Sequence, residues 1–353
     1  MKAAFGLRRL IGAILGTALI GTATAVAAAA TEPLNPPVKI RINSPGLAGL
    51  GGMYLANDKG YFKEQGLDVF LDAAAGANTS ADTVTQLATG QLEVGLLSVS
   101  AALFNAISRD IGLVGLMPLN TLDKDNRATG TLVRQDLIDS GAYKTPADLK
   151  GKKIAILTVG ANGHYNVNQA LKSAGLTDND VNLVTMSFPD ALAALGNKAV
   201  DAAFQVEPFI SAAAAQKIGS LAFTEGDFAH GGPAFVLYSS EAFAEKNNEA
   251  LKRLTVAMLK GQRDYIAAVK AGSGPGYEEL LQTLSKHSMI KDVERLRKMA
   301  LPAADPNGDF DPAVVASMQD FLLEQKVQAK PIDTSKIFDP SYLEYAVDVL
   351  GRQ

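Results

Sequence analysis

Short polar segments that follow apolar runs are the parts of this sequence whose side chains could do chemistry. Glu207 comes directly after such a run and precedes Pro208. Its carboxylate could hold a ligand ammonium or ring N–H, or it could stabilise a helix N-terminus. Main-chain N–H groups at the start of a helix can bind an anion without an arginine. We therefore expect a small-molecule site with these candidate residues: Asn43, Ser44, Gly46, Ser98, Val99, Ser100, Asn120, Thr158, Gly160, Asn162, Gly163, His164, Phe188, Gln205 and Glu207.

Several of these residue types also have purely structural uses. Ser98, Ser100, Thr158 and Asn162 could simply cap helices. His164 is the histidine that we expect in the cleft, although a structural role is open to it as well. An apolar wall for the ligand could come from aromatic side chains that more often belong to the core, namely Tyr54, Tyr165 and Phe188.

Motifs of known catalytic sites are missing from the sequence. His164, His230 and His287 are the three histidines, and none stands at a metal-ligand spacing. There is no nucleophile elbow, phosphate-binding loop or dinucleotide fingerprint. The chain has no cysteine, which excludes disulfides, thiolate metal sites and a cysteine nucleophile. We therefore predict a binding protein without a cofactor, and an enzyme that uses the same cleft stays open as an alternative.

A repeated order of elements must position the candidate residues. Strand, loop and helix follow one another twice, and alternating strands and helices indicate parallel sheets whose carboxyl ends form a crevice. Two such units predict two similar α/β lobes, and one large doubly wound sheet is the alternative. The predicted strands are Lys39–Asn43, Gly66–Leu71 and Leu92–Leu97 in the first unit, and Lys153–Leu157, Val181–Met186 and Val200–Val206 in the second.

Two further predicted strands, Leu113–Met117 and Ala234–Tyr238, flank the second unit. The chain would then cross between the lobes at Asn120–Thr129 and at Gly226–Pro233, and the rest would be mostly helical. The predicted domain boundaries are a leader over residues 1–30, a discontinuous lobe 1 over 31–122 and 231–353, and lobe 2 over 123–230.

The first thirty residues are typical of a cleaved secretory signal peptide. A basic head with Arg8 and Arg9 precedes the apolar run Leu10–Ile20 and an alanine-rich stretch with A-x-A sites. A retained anchor is the alternative, but the run is shorter than the roughly 20 residues that span a bilayer. We expect a mature protein that begins near residues 28–31 in the periplasm. Loss of the leader changes the net charge from −4 to −7, which argues against nucleic acid as a partner.

Three segments resemble the NMT1/THI5-like periplasmic solute-binding proteins, which include sulfonate, taurine and nitrate receptors of ABC transporters. Gly52–Val69 resembles the opening signature of that family, Asp148–Ala155 its entry into the second lobe, and Val200–Phe209 a later block. The similarity covers about Lys39 to Tyr238. The resemblance implies an α/β, two-lobed periplasmic-binding-protein fold of the type II, Venus-flytrap kind. Each lobe would hold a mixed, mostly parallel sheet flanked by helices.

The resemblance also implies a function. The protein would be a monomer that captures a small organic anion, a sulfonate or carboxylate, by hinge closure. Its partners would be that small molecule, an ABC permease and the ATPase of the permease, with no stable membrane anchor. In the taurine-like branch an acidic residue of the later block meets the ligand amine, and Glu207 matches that place. A receptor for a pyrimidine or thiamine precursor is an alternative, whereas the cysteine-rich segment of the yeast pyrimidine-synthesis enzymes of this superfamily is missing.

Overall fold

The computed structural model describes residues 32–76, 80–122 and 126–353, so the predicted leader lies outside the described residues. Within the described ranges, no helix combines the length and the apolar character needed to cross a membrane. The strands of this part of the chain are β1 Val38–Asn43, β2 Leu67–Asp72, β3 Val94–Ser98, β4 Leu113–Pro118, β5 Thr129–Arg134, β6 Lys153–Ile156, β7 Asn182–Thr185, β8 Ala202–Val206, β9 Gly219–Thr224 and β10 Phe235–Ser240.

These strands form two five-stranded sheets with matching topology. The first has the order β2-β1-β3-β10-β4 and the second the order β7-β6-β8-β5-β9. In the first sheet β10 runs antiparallel to both of its neighbours, and in the second β5 does the same. The pairs β1–β2 and β6–β7 are parallel. The prediction of two mixed, mostly parallel sheets is therefore confirmed, and a single doubly wound sheet is not what the chain forms.

The chain passes twice between the two sheets, and each time it enters the new sheet through that sheet's antiparallel strand. Strand β5 is the first strand reached after the chain leaves the first sheet, and β10 is the strand that brings the chain back. The two crossings lie side by side. Leu122 N–H donates to Gly232 O over 2.8 Å, Gly231 N–H donates to Leu122 O over 2.6 Å, and Thr121 and Pro233 form an antiparallel bridge.

The helices flank the sheets. Their bounds are α1 Gly51–Asp58, α2 Tyr61–Glu64, α3 Ala73–Gly76, α4 Ser80–Ala88, α5 Ala101–Ser108, α6 Gln135–Asp139, α7 Asn162–Ser173, α8 Phe188–Gly196, α9 Phe209–Ala215, α10 Gly226–Ala229, α11 Glu241–Ala271, α12 Pro275–His287, α13 Val293–Lys298, α14 Pro312–Glu324 and α15 Pro340–Leu350. Short 3-10 turns lie at Ala48–Leu50, Pro146–Leu149, Asp178–Asp180 and Thr334–Ile337.

Capping residues mark the ends of several helices. Asp311 accepts a hydrogen bond from Ala313 N–H at the start of α14, and Asp339 accepts one from Ser341 N–H at the start of α15. Gly90 follows α4 with a φ of +70°, as a left-handed helix end requires. Helices α1 and α2 are separate, because the chain turns through Gly60 at a φ of +78° before α2 begins.

Strands β5 and β9 were not predicted. Residue 129 was expected to end a crossing, but it is the first residue of β5, and the second expected crossing contains the short helix α10. Strand β9 forms one edge of the second sheet and pairs with β5, and β5 pairs on its other side with β8. Their pairing depends on partners far away in the sequence, which a local pattern does not display.

The first sheet is covered on both faces by apolar side chains. One cluster joins it to α1, α11 and α12 through residues such as Leu55 and Leu254. Helices α1 and α11 approach each other closely in this cluster: a Cβ at Gly261 would lie 2.3 Å from Gly52 O and 2.8 Å from Ala56 Cβ. A second cluster joins the sheet to α4, α5 and α14. Two smaller clusters cover the two faces of the second sheet.

Candidate functional site

A cavity of about 330 Å³ lies where the carboxyl ends of strands from both sheets meet. Asn43 at the end of β1 and Ser98 at the end of β3 line it from the first sheet. Thr158, just after β6, and Glu207, just after β8, line it from the second. The segments 120–122 and 126–129 of the first crossing also contribute to the lining. This is the arrangement expected of a ligand crevice in α/β sheets.

Nine of the fifteen expected site residues line this cavity. They are Asn43, Gly46, Ser98, Asn120, Thr158, Asn162, Gly163, Phe188 and Glu207. The other six, which are Ser44, Val99, Ser100, Gly160, His164 and Gln205, lie outside its lining.

Two amide side chains of the lining are already engaged in holding the walls. Asn43 Oδ1 accepts from Leu96 N–H over 2.6 Å, and its Nδ2 donates to Thr83 Oγ1 over 3.2 Å. Asn120 Nδ2 donates to Gly49 O over 2.7 Å. Asn43 therefore ties β1 to β3 and α4, while Asn120 fixes the loop before α1 to the first crossing. Their contribution to the site is mainly to fix its shape.

The start of helix α7 faces the cavity from the side of the second sheet. Ala161, Asn162 and Gly163 line the cavity, and no side chain caps this N-terminus. The first N–H groups of a helix lack intrahelical partners, and the helix dipole makes this end positive. Gly163 allows the helix to sit close to the aromatic wall, since a Cβ there would lie 2.4 Å from Phe204 Cδ1.

His164 does not line the cavity, which corrects the expectation from the sequence. Its side chain is 2% exposed, Nδ1 accepts from Gly160 N–H over 3.1 Å, and Nε2 lies 2.9 Å from Asp178 Oδ2. Its ring meets Phe321 edge-on at a centroid distance of 4.9 Å. Burial opposes ionisation of Asp178, but hydrogen bonds from His164 and Asn168 hold the pKa of that carboxyl below its usual value. The pair fastens α7 to the 3-10 turn and α14.

Gln205 and Ser44 are excluded from the lining by the alternation of side chains along a strand. Phe204 and Val206 face the cavity, so Gln205 points to the other side, where its Nε2 donates to Phe188 O over 3.0 Å. In the same way Asn43 faces the cavity while Ser44 lies buried within 3.5 Å of Tyr54 Oη.

Two further expected residues and the loop glycine have structural roles. Val99 is buried in the apolar cluster beneath α5, and Ser100 Oγ donates to Ser98 O over 3.2 Å. Gly160, with a φ of +77°, packs against side chains of α5 and α14 and offers its carbonyl to Ala101 N–H. Tyr54 and Tyr165 are also core residues and not part of the cavity wall.

Glu207 lines the cavity, but its carboxylate is engaged with helix α9. Oε2 accepts from Ser211 N–H over 3.0 Å, and Oε1 accepts from Ser211 Oγ over 2.6 Å. Oε1 also lies 3.4 Å from Ala300 N in the segment after α13. The geometry matches the helix-stabilising use of a carboxylate near a helix N-terminus. The same carboxylate also links the second sheet to a segment that packs on the first.

Replacing Glu207 by glutamine is therefore expected to affect stability more than binding. Loss of this charge near the start of α9 should lower the free energy of unfolding by about 1 kcal/mol. Affinity for a solute should change less than about threefold, because the carboxylate already has partners. Urea unfolding and calorimetric titration measure the two effects. Ser211→Ala is the matched variant and should give a similar loss of stability. A tenfold loss of affinity in Glu207→Gln alone would contradict this assignment.

Apolar residues that the sequence did not reveal form much of the wall. Phe204 and Phe235 come from strands, and Leu157 and Met289 are exposed at 44% and 65%. Phe188 completes an aromatic group, with its ring centroid 6.5 Å from that of Phe204. Phe204 and Phe235 could have been found from strand alternation, but nothing in the sequence places the segments around 289 and 300 beside the cleft.

Glu225 is a charged residue of the lining that the sequence did not reveal. It follows β9, lines the cavity, and is 5% exposed. Burial raises the pKa of Glu225 to about 7, against the smaller opposing effect of a hydrogen bond with Thr129. Its position at the end of a strand is the same signal that pointed to Glu207, but it could be recognised only once β9 was known. Within the described ranges, no cluster of three or more His, Asp or Glu residues could hold a metal ion.

Comparison with known proteins places most of the chain in one family. A family model described as NMT1/THI5 like matches residues 48–269. A putative ABC transporter periplasmic binding protein of Brachyspira hyodysenteriae is 33% identical over 219 residues, which are 59% of this chain and 59% of that protein. The taurine-binding periplasmic protein of Escherichia coli is 25% identical over 66% of this chain and 64% of its own length. The chain thus matches about three fifths of the length of these relatives.

The two-sheet fold of this chain is also found among solved structures. The periplasmic aliphatic sulphonate binding protein SsuA from Escherichia coli superposes with a TM-score of 0.65 at 20% identity, covering 87% of this chain and 99% of that one. At this level of identity the likeness shows the fold alone.

Proposed function

This chain belongs to the NMT1/THI5-like family, and on that premise we propose that it is the periplasmic solute-binding component of an ABC importer. It would capture a small organic solute between the two sheets and deliver it to a permease and its ATPase. The names of the relatives from Brachyspira and Escherichia coli support this assignment. The proposed domains keep the predicted boundaries, with a cleaved leader over 1–30, lobe 1 over 31–122 and 231–353, and lobe 2 over 123–230.

One observation carries the proposal: both sheets direct the carboxyl ends of their strands at one cavity of about 330 Å³. A cavity of this size suits a small molecule, with apolar walls for its body and few polar groups to orient it. The described lining offers no histidine beside a serine and no other set of groups arranged for catalysis. We therefore propose binding and not turnover, with an enzyme that uses the same cleft as the alternative.

The proposed ligand is a small organic anion, such as a sulfonate or a carboxylate. The uncapped start of α7, at residues 161–163, would hold the anionic group through main-chain N–H donors and the helix dipole. Thr158 lines the same cavity and its hydroxyl group can add a hydrogen bond, as can one hydroxyl of the hydrogen-bonded pair Ser80 and Ser98. A receptor for a nitrogen heterocycle, such as a pyrimidine, is a second candidate, which the buried carboxyl group of Glu225 favours.

We propose that the lobes close about the paired crossings. The hydrogen bonds between Leu122 and the backbone of Gly231 and Gly232 keep the two crossings together, so they can bend as one. A ligand that touches both lobes only in the closed state shifts the population towards closure.

A thermal-shift screen of sulfonates, carboxylates, pyrimidines and amino acids tests the function, with protein unfolded and refolded to remove bound solute. A solute at one hundred times its Kd should stabilise the protein by about 2.7 kcal/mol. Small-angle X-ray scattering with that solute should show a smaller radius of gyration. A screen without any stabilising compound would contradict a receptor role, an unchanged radius at saturation would contradict closure, and chemical conversion of the compound would favour the enzyme.

A further inference from the structure

Glu225 and Asn162 lie together at the inner end of the cleft. Both line the main cavity, and both also line a small cavity behind it, beside Leu122 of the first crossing. Glu225 comes from the end of β9, whereas Asn162 begins α7. Two side chains from different elements therefore border the same pair of neighbouring cavities.

The carboxyl group of Glu225 is buried without a positive partner. Of the described residues that line the cavity, the charged ones are Glu207 and Glu225, and no ion pair in the described chain involves Glu225. A buried carboxylate is costly unless a cation or several donors face it. The titratable groups on the elements around it have partners of their own: Asp227 with Thr224, His164 with Asp178, and Arg134 with Asp136 and Asp201.

Asn162 supplies a second, independent sign that a donor belongs in this corner. Its Oδ1 is buried and has no hydrogen-bond partner, although its Nδ2 lies 3.5 Å from Ala234 O. Buried polar atoms in native proteins are nearly always paired, so a lone acceptor calls for an explanation. Three pairs of other lining groups are already hydrogen-bonded to each other: Asn43 with Thr83, Asn120 with Gly49, and Ser80 with Ser98.

We propose that Glu225 and Asn162 Oδ1 form a subsite for a cationic or N–H donor group of the solute. This inference rests on the proposed receptor function and narrows its ligand. The solute would carry a protonated amine or an N–H group besides its acidic group. An anion without such a group would leave the buried carboxyl group of Glu225 without a positively charged or N–H partner. The aromatic wall at Phe188 and Phe204 would cover the body of the molecule.

Calorimetric titration with a matched pair of probes tests the subsite. The probes are 2-aminoethanesulfonate and ethanesulfonate, which differ in the amine, with 3-aminobenzenesulfonate and benzenesulfonate as an aromatic pair. In at least one pair we expect the amine to improve the affinity of the wild type by tenfold or more. Glu225→Gln and Asn162→Ala should each reduce this preference. Glu245→Gln, at an exposed position on α11, is the matched control and should keep it.

Proton exchange on binding separates ligand contact from a structural role of Glu225. Burial raises the pKa of Glu225 to about 7, so its carboxyl group is partly protonated at pH 7 in the free protein. A cationic group lowers the pKa of Glu225, so the wild type should release a fraction of a proton on binding 2-aminoethanesulfonate. Titrations in buffers of different ionisation enthalpy measure that release, and Glu225→Gln should abolish it.

The outcomes separate this inference from the receptor function. Binding of the amine-free sulfonates with equal or greater affinity, or an amine preference that survives in Glu225→Gln, would overturn the subsite and leave the receptor function standing. Proton uptake in place of release would overturn it as well. Absence of binding by all four probes would also overturn it, and the broader thermal-shift screen would then decide the receptor function separately.

Discussion

Replacing Gly261 by alanine is expected to lower the free energy of unfolding by about 3 kcal/mol. The added Cβ would lie 2.3 Å from Gly52 O and 3.0 Å from Ala56 N, which are backbone atoms of α1 and cannot rotate away. Helix α1 would have to move from α11 at the centre of the largest apolar cluster, and overpacking of this kind typically costs 1 to 3 kcal/mol or more. Urea unfolding at constant m-value measures the change.

Gly276→Ala is the matched control for that substitution. Gly276 also lies in a helix, but it is exposed and a Cβ there would meet nothing within 4 Å. Alanine should stabilise this site by up to about 1 kcal/mol, because it is the better helix former. Equal effects of the two substitutions would show that the close packing of α1 on α11 does not determine the stability of the fold.

Replacing Phe188 by alanine is expected to weaken binding of a solute by about thirtyfold, or 2 kcal/mol. Its ring is half-buried at the cavity wall, within 6.5 Å of the Phe204 ring centroid and 6.1 Å of that of Phe209. Aromatic side chains at the centre of a binding site are frequent hot spots, and truncation removes apolar area that the ligand would cover. Calorimetric titration with a solute selected by thermal shift measures the loss.

Phe70→Ala controls for removal of a partly exposed phenylalanine elsewhere. Phe70 is 62% exposed on β2 and lies outside the cavity lining. Phe70→Ala should leave the Kd for the solute unchanged, and both Phe70→Ala and Phe188→Ala should keep a cooperative unfolding transition. An unchanged affinity in Phe188→Ala would remove the aromatic wall from the proposed site.

Much of the fold could be predicted because its signals are local. Apolar runs in the sequence located β1, β3, β6 and β8, which were predicted as Lys39–Asn43, Leu92–Leu97, Lys153–Leu157 and Val200–Val206. Asp311 and Asp339, which stand before prolines, are local signals of the same kind for the starts of α14 and α15. Strands β5 and β9 were missed because their identity comes from pairing with each other and with β8. The return of the chain to the first sheet through β10 was predicted from the repeat. The second unit lies between two predicted strands, and the later of these strands is β10.

The site was predictable where it depends on strand ends and unpredictable where it depends on register. Asn43, Ser98 and Glu207 were expected at the cleft because they follow strands, and all three line the cavity. Gln205 was expected beside them, but the period of two along β8 turns it to the opposite face. His164 was expected in the cleft because the sequence could not show that its ring would hydrogen-bond to Asp178, fourteen residues away.

The missed residues of the cavity depend on long-range packing. Met289 and Pro302 reach the cleft because the segments before and after α13 pack against the loop at Gly46 and Gly49. Glu225 was missed for a different reason, because the strand that precedes it was not recognised. A single sequence contains no local signal for either arrangement.

Hydrogen–deuterium exchange with and without a saturating solute tests most directly whether the solute binds between the two sheets. Bound solute slows the exchange of amides that it contacts or whose local opening it suppresses. We predict slower exchange on both walls, in residues 48–50 beside the first sheet and in residues 161–163 at the start of α7. Protection of one wall alone, or protection confined to residues outside the cavity lining, would contradict a solute held between the sheets.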